Sequence, residues 1–126
     1  MEKIEHIHDR FFKKIFSDIE NVKTFLEFIL PQSLKKQLRL LDIELDQTSY
    51  VSPKYKESLS DIVAKCQTNH ELPVDFYMLF EHKSQPEKNT PIQLLRYKYF
   101  MWQQDSDEDK PLRAIIPIVF YHGEKP

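Results

Sequence analysis

The chain has 126 residues, of which 40% are hydrophobic and 13% aromatic, which suits one compact domain and is too little for two. Its formal net charge of −2 excludes a bulk attraction for nucleic acid and leaves room for a local basic groove. A single glycine and a single cysteine exclude a glycine-rich phosphate loop, an internal disulfide and a cysteine-based zinc site.

A helical segment opens the chain. Apolar residues recur at helical spacing over residues 9–30, and Pro31 ends the run. Ser17 and Asn21 mark the place where this segment would divide into two helices. A second, short helix is predicted over residues 32–38.

Three strand-length segments follow. Residues 41–51 alternate between apolar and acidic side chains, which predicts a half-buried strand. Residues 59–67 and 74–82 are expected to form a hairpin around a turn at residues 68–71. The last of these segments is apolar enough to be a central strand buried on both faces.

A second long helix and a final strand complete the pattern. Thr90 is expected to cap the helix, with Pro91 at its first position. Residues 105–109 are expected to form an acidic loop. Residues 113–121 are apolar enough for an internal strand, whereas Pro117 favours an edge or a bulge. The helix has a predicted apolar stripe made of Ile92, Leu95, Tyr99 and Trp102. The order helix, three strands, helix, strand is that of an α/β (α+β) chain.

Charged residues at the ends of the hairpin strands form the candidate site. Because alternate residues of a strand face opposite sides, Glu81 and Lys83 share a face. The hairpin brings Asp61 roughly opposite the Glu81 end. Two carboxylates can bind Mg²⁺, which prefers hard oxygen ligands, and a lysine can orient or deprotonate a water molecule. This trio predicts hydrolysis of a phosphodiester.

The trio resembles a known nuclease signature. Asp61 followed by Glu81-His82-Lys83 is similar to the D…(D/E)-x-K pattern of the PD-(D/E)XK superfamily, although Ser60 stands where the superfamily name has proline. The chain as a whole resembles the Rpn family of recombination-promoting nucleases, also described as YhgA-like transposases. The segments that carry this resemblance run almost from end to end: residues 8–18, 60–63, 80–84, 94–97 and 116–123.

The resemblance implies a restriction-endonuclease-like core with a mixed sheet flanked by helices. It also implies a Mg²⁺-dependent DNA endonuclease associated with recombination or mobile elements, in which Mn²⁺ could replace Mg²⁺. Asp61 and Glu81 would be the metal ligands and Lys83 would assist, although members commonly carry glutamine at this last position. Gln93 is a further candidate, because related nucleases often place a glutamine of this helix near the site.

Domain organisation and partners follow from the same resemblance. Residues 1–126 are expected to form a single nuclease-like domain, the N-terminal part of a longer chain, that acts on DNA and could form homo-oligomers. No segment has the length or apolarity of a membrane span, and the start of the chain is no signal peptide, so a cytoplasmic location is expected.

Other interpretations stay open at the level of sequence. Gln93 could be a solvated helix residue. Asp9 could favour the start of the first helix electrostatically or take an auxiliary part in the site. The alternative for the whole chain is a catalytically inactive, truncated remnant that acts as a DNA-binding or protein-interaction module.

Overall fold

A computed structural model describes residues 4–82 and 89–121, with residues 4–9 described as backbone only. Two helices open the chain, α1 (Ile4–Phe16) and α2 (Ile19–Ile29), and the short α3 (Gln32–Lys35) follows them. The helical segment predicted over residues 9–30 therefore divides into two helices, as Ser17 and Asn21 indicated.

The interruption between α1 and α2 lies at Ser17 and Asp18. Asp18 is the N-cap of α2, and its side chain accepts a hydrogen bond from the backbone N–H of Glu20 at 2.9 Å. Asn21 lies inside α2 and donates from Nδ2 to the carbonyl of Ile15 at 2.8 Å. Both polar residues thus hold the corner between the two helices.

Four strands form one mixed sheet in the order β1 (Glu44–Asp46), β2 (Leu59–Gln67), β3 (Pro73–Glu81) and β4 (Ala114–Tyr121). The first three strands pair antiparallel, and β4 pairs parallel with β3 after the crossover helix α4 (Asn89–Asp107). Within the described residues β4 is an edge strand, which explains why it tolerates a proline. This mixed α/β architecture is consistent with a PD-(D/E)XK-like core.

Helices pack on both faces of the sheet. On one face, α1 and α2 contribute Phe12, Val22 and Leu26 to a core with Phe76 and Met78 of β3. The other face carries a separate core, in which α4 packs against β2 and β3; it contains Leu59, Val63, Tyr77, Leu79, Tyr97 and Met101. The predicted burial of β3 on both faces is confirmed.

The strand predicted over residues 41–51 is mostly wrong. Only Glu44–Asp46 forms a strand within this segment, and Leu40–Asp42 forms a turn of 3₁₀-helix. This turn buries Leu40 and Ile43, three positions apart, and leaves Leu41 85% exposed. Side chains three apart lie on one side of a 3₁₀ turn, so the local period differs from that of a strand.

The buried face of α4 also differs from the predicted one. Ile92, Leu95 and Tyr99 are 52%, 65% and 70% exposed. The helix instead buries a largely polar set: Thr90, Gln93, Tyr97, Met101 and Asp105. Polar residues of α4 can be buried because residues of the sheet form hydrogen bonds with them. The spacing of apolar residues alone does not predict which polar residues find such partners.

The ends of α4 correct two further predictions. The helix begins at Asn89, so Thr90 lies within its first turn, and its hydroxyl binds Glu81. The helix continues to Asp107 through much of the segment predicted as an acidic loop, with Asp105 buried against Arg113. None of the helices in the described ranges has the length and apolarity needed to cross a membrane.

Candidate active site

Asp61 and Glu81 lie on the same face of the β2–β3 hairpin. Asp61 pairs with Leu79, and Glu81 pairs with Leu59. The two carboxylates are therefore diagonal neighbours, and such positions lie about 7–8 Å apart. Both side chains are buried, at 3% and 6% exposure. The hairpin thus brings the two predicted ligands together at one end of the sheet.

Asp61 is held by three hydrogen-bond donors. Ser49 Oγ donates to Oδ1 at 2.9 Å, while the Tyr50 backbone N–H and the Tyr77 hydroxyl each donate to Oδ2 at 2.8 Å. A carboxylate has about four lone-pair sites, so one acceptor position remains. Sequence analysis did not anticipate these donors, because two of them come from the irregular segment before β2.

Gln93 ties the same segment to α4. Its Oε1 accepts from the Ser52 backbone N–H at 3.0 Å, and its Nε2 donates to the Tyr50 carbonyl at 2.9 Å and to the Tyr77 hydroxyl at 3.1 Å. The side chain is completely buried, so the interpretation of Gln93 as a solvated helix residue is wrong. Gln93 is therefore linked to Asp61 through the Tyr77 hydroxyl, which is hydrogen-bonded to both side chains.

Tyr77 is the centre of this network. Burial and the neighbouring Asp61 raise the pKa of its hydroxyl far above the ordinary value of 10, so it stays a donor to the carboxylate. Its ring stacks on Tyr97 with centroids 4.0 Å apart and planes inclined by 5°. The alternation of β3 gave a usable signal, because Tyr77 shares a face with Glu81.

Glu81 has a different environment from Asp61. Thr90 Oγ1 donates to Oε2 at 2.7 Å, whereas Oε1 is buried and has no hydrogen-bond partner among the described residues. An unpaired buried carboxylate oxygen costs free energy, and such groups in native structures often mark a missing ion or water. Together with the free acceptor position on Asp61, this oxygen fits a hard cation that keeps several water ligands.

Other predicted site residues fall outside what the structure describes. Lys83 belongs to residues 83–88, which are not described, and the side chain of Asp9 is not described either. Within the described residues, no group of three or more His, Cys, Asp or Glu side chains could hold a metal. Among the described residues, Asp61 and Glu81 are the two carboxylates that the hairpin places near each other for a cation.

Ser60 and His82 are the chain neighbours of Asp61 and Glu81, and alternation along the strands directs them to the opposite face of the hairpin, where His82 contacts Phe80. Ser60 Oγ is 2.7 Å from His82 Nε2, and His82 Nδ1 is 3.2 Å from the carbonyl oxygen of Glu57. Both side chains are almost fully buried, at 6% and 2% exposure. This contact connects the ends of β2 and β3, so His82 has a structural role.

A second buried polar network lies on the face of the sheet that packs against α4, at the end opposite Glu81. Arg113 contacts Asp75 Oδ2 through Nη1 at 3.1 Å and Asp105 Oδ1 through Nη2 at 2.7 Å. The Tyr97 hydroxyl donates to Asp75 Oδ2 at 2.7 Å. Sequence analysis missed this network, although an aspartate inside the apolar strand β3 was a usable signal.

We expect Tyr77→Phe to destabilise the domain by about 1–3 kcal/mol, because Asp61 loses a donor and Gln93 loses an acceptor in a buried place. Urea unfolding followed by circular dichroism would measure the change. Tyr99→Phe is the matched control, since Tyr99 is 70% exposed and its change should stay within about 0.5 kcal/mol. Equal effects of both substitutions would contradict the proposed importance of the network.

Comparison with known proteins identifies the family of this chain. The profile of the family described as "Putative transposase, YhgA-like" matches residues 6–126, and the chain belongs to that family. The resemblance found in the sequence motifs is thereby confirmed. No solved structure matches the chain significantly.

The curated relatives are recombination-promoting nucleases and their inactive counterparts. The chain is 34% identical to the "Inactive recombination-promoting nuclease-like protein RpnE" of Escherichia coli K12, over 93% of this chain and 39% of that protein. It is 31% identical to the "Recombination-promoting nuclease RpnD" of Escherichia coli O157:H7, over 94% of this chain and 46% of that protein. It is 29% identical to RpnC of Escherichia coli K12, over 93% of this chain and 39% of that nuclease. The chain therefore spans less than half the length of these relatives.

Proposed function

We propose that this chain is a metal-dependent DNA endonuclease domain that hydrolyses phosphodiester bonds and acts in recombination. The observation that carries the proposal is the buried Oε1 of Glu81, which has no hydrogen-bond partner in the described part of the chain and lies diagonally across the central hairpin from Asp61. Family membership supports a nuclease role, and the carboxylate geometry supports the choice of a hard cation, Mg²⁺ or Mn²⁺.

Different residues of the site would hold the cation and orient the attacking water. Glu81 would offer Oε1 to the cation while Thr90 fixes the other oxygen of the same carboxylate. Asp61 would offer its remaining acceptor position, with its orientation set by Ser49, Tyr50 and Tyr77. Lys83 remains the proposed group that orients or deprotonates the attacking water. When bound, the cation would lower the pKa of that water and offset charge on a phosphoryl oxygen.

A second function is favoured by a specific observation. Both oxygens of Asp61 already accept hydrogen bonds, so this carboxylate also satisfies the requirements of a purely structural residue. One relative at 34% identity is named as inactive. The alternative is therefore a non-cutting module that binds DNA or protein through the same fold.

The test is the conversion of supercoiled plasmid to nicked or linear forms with Mg²⁺, with Mn²⁺ and with EDTA. We expect cutting with either metal and none with EDTA. Calorimetric titration of the same preparation with MnCl₂ and MgCl₂ gives an independent measurement of metal uptake. A folded chain that neither takes up metal nor cuts would establish the non-cutting module instead.

A further inference from the structure

A pocket of about 380 Å³ lies between the segment at residues 48–56 and α4. Small-molecule pockets in proteins have volumes of about 300–1,000 Å³, so it can take a ligand the size of one nucleotide. The residues whose chemistry matters here are Tyr50, Lys56, Arg96, Tyr97 and Phe100.

The pocket and the candidate site share one wall. Ser49 and Tyr50 line the pocket, and the same two residues donate hydrogen bonds to Asp61. On α4, Gln93 binds Tyr50 and Tyr77 one turn before Tyr97, which lines the pocket. A ligand in the pocket would therefore contact two of the residues that hold Asp61 in place.

The charge of the pocket differs from that of the chain. Lys56 and Arg96 are both exposed at its rim, and no carboxylate is among its described lining residues, whereas the chain has a net charge of −2. Arginine binds phosphate through paired N–H groups, and lysine binds it as a point charge. The rim thus suits a phosphate group.

The walls of the pocket are aromatic. The Tyr50 ring lies 5.3 Å from that of Tyr97 and 6.2 Å from that of Phe100, measured between centroids. Phe100 is 53% exposed, which leaves ring surface available for stacking.

We propose that this pocket holds one nucleotide of a DNA strand, with the base against Phe100 and a phosphate between Lys56 and Arg96. The proposal rests on the proposed nuclease function and specifies how the strand is held next to the carboxylates. Bases stack on aromatic side chains without regard to sequence, which fits a strand contact that carries no sequence preference.

Fluorescence anisotropy of a labelled single-stranded oligonucleotide, measured in EDTA, tests the pocket without any contribution from cutting. We expect Phe100→Ala to weaken binding by about five- to a hundred-fold. Arg96→Ala should weaken binding and lower the slope of log K against log salt by about 0.7, as expected for one lost phosphate contact on a single strand.

Neighbouring residues of α4 provide matched controls. Tyr99→Ala removes an aromatic ring and Lys98→Ala removes a cation, and neither residue lines the pocket. These two variants should bind within about two-fold of the unmodified chain, because surface changes away from a contact have small effects. Equal weakening by pocket and control variants would overturn the proposal, as would absence of binding by the unmodified chain. Circular dichroism verifies that each variant is folded.

Free nucleotide and nucleotide within a strand are distinguished by competition. An excess of a free deoxynucleoside monophosphate should displace little oligonucleotide, because one base and one phosphate supply only part of the contacts. Full displacement would show a site for free nucleotide and overturn the strand contact. If the unmodified chain cuts plasmid but the pocket variants bind the oligonucleotide as well as it does, the nuclease function is retained and only the pocket proposal is rejected.

Discussion

Glu81→Gln is expected to abolish metal-dependent cleavage and to leave the fold at least as stable as that of the unmodified chain. A catalytic cation contributes several kcal/mol of transition-state stabilisation, so the loss in rate should exceed about a hundred-fold. Stability should not fall, because the glutamine carbonyl can still accept from Thr90 and a buried charge without a partner at Oε1 among the described residues disappears. Removing that charge outweighs the cost of burying the new amide N–H groups, because a buried charge costs more than a buried amide.

This opposition between activity and stability is what separates a functional carboxylate from a structural one. Plasmid cleavage, manganese titration and urea unfolding would be measured on the same preparations. A variant that cuts as well as the unmodified chain would remove Glu81 from the site. A variant that unfolds more easily, with cutting lost only in proportion, would assign Glu81 a structural role.

Asp61→Ala is a weaker test of the same site. Its removal leaves three donors without their acceptor, two of them on the segment that also contacts Gln93. Each unpaired buried donor costs about 1–3 kcal/mol, so lost activity would be confounded with lost structure. The observed hydrogen bonds therefore favour Glu81 over Asp61 as the first residue to change.

The largest loss of stability is expected for Arg113→Met. This change keeps most of the aliphatic stem and removes the cation that pairs with Asp75 and Asp105, both of which are buried. Removing one partner of a buried ion pair costs about 3–5 kcal/mol, because it leaves an uncompensated charge. Urea unfolding measures the loss, which is a large fraction of the usual stability of a domain.

Two companion variants make this result specific. Arg96→Met removes an exposed arginine and should change the free energy of unfolding by no more than about 0.5 kcal/mol. Adding Asp105→Asn to Arg113→Met should cost less than the sum of the single changes, because one orphaned charge is removed as well. A loss below about 1 kcal/mol for Arg113→Met, typical of exposed pairs, would contradict the network.

The same network predicts a pH dependence. Hydrogen bonds from Arg113 hold the pKa of Asp105 below its ordinary value of 3.8. The unfolded chain then binds more protons than the folded one, so this contribution is present above pH 3.8 and is lost as the pH falls through the lower folded value. The stability difference between the unmodified chain and Arg113→Met should therefore shrink in acid.

The sequence by itself determined the order of elements, the family and the convergence of Asp61 with Glu81. These results depend on local relations: a short turn fixes the register of an antiparallel hairpin, and alternation then fixes which side chains share a face. The interruption of the first helix was equally local, because a capping aspartate lies at the break.

Only the tertiary structure decided which face of α4 is buried and what surrounds Asp61. Apolar spacing favoured Ile92, Leu95 and Tyr99, whereas the sheet selected Gln93 and Tyr97 through hydrogen bonds to residues far away in the chain. Two of the three donors to Asp61 come from the irregular segment before β2, where no regular spacing of apolar residues could predict them. A buried polar group is stabilised by its partners, and those partners exist only once the chain has folded.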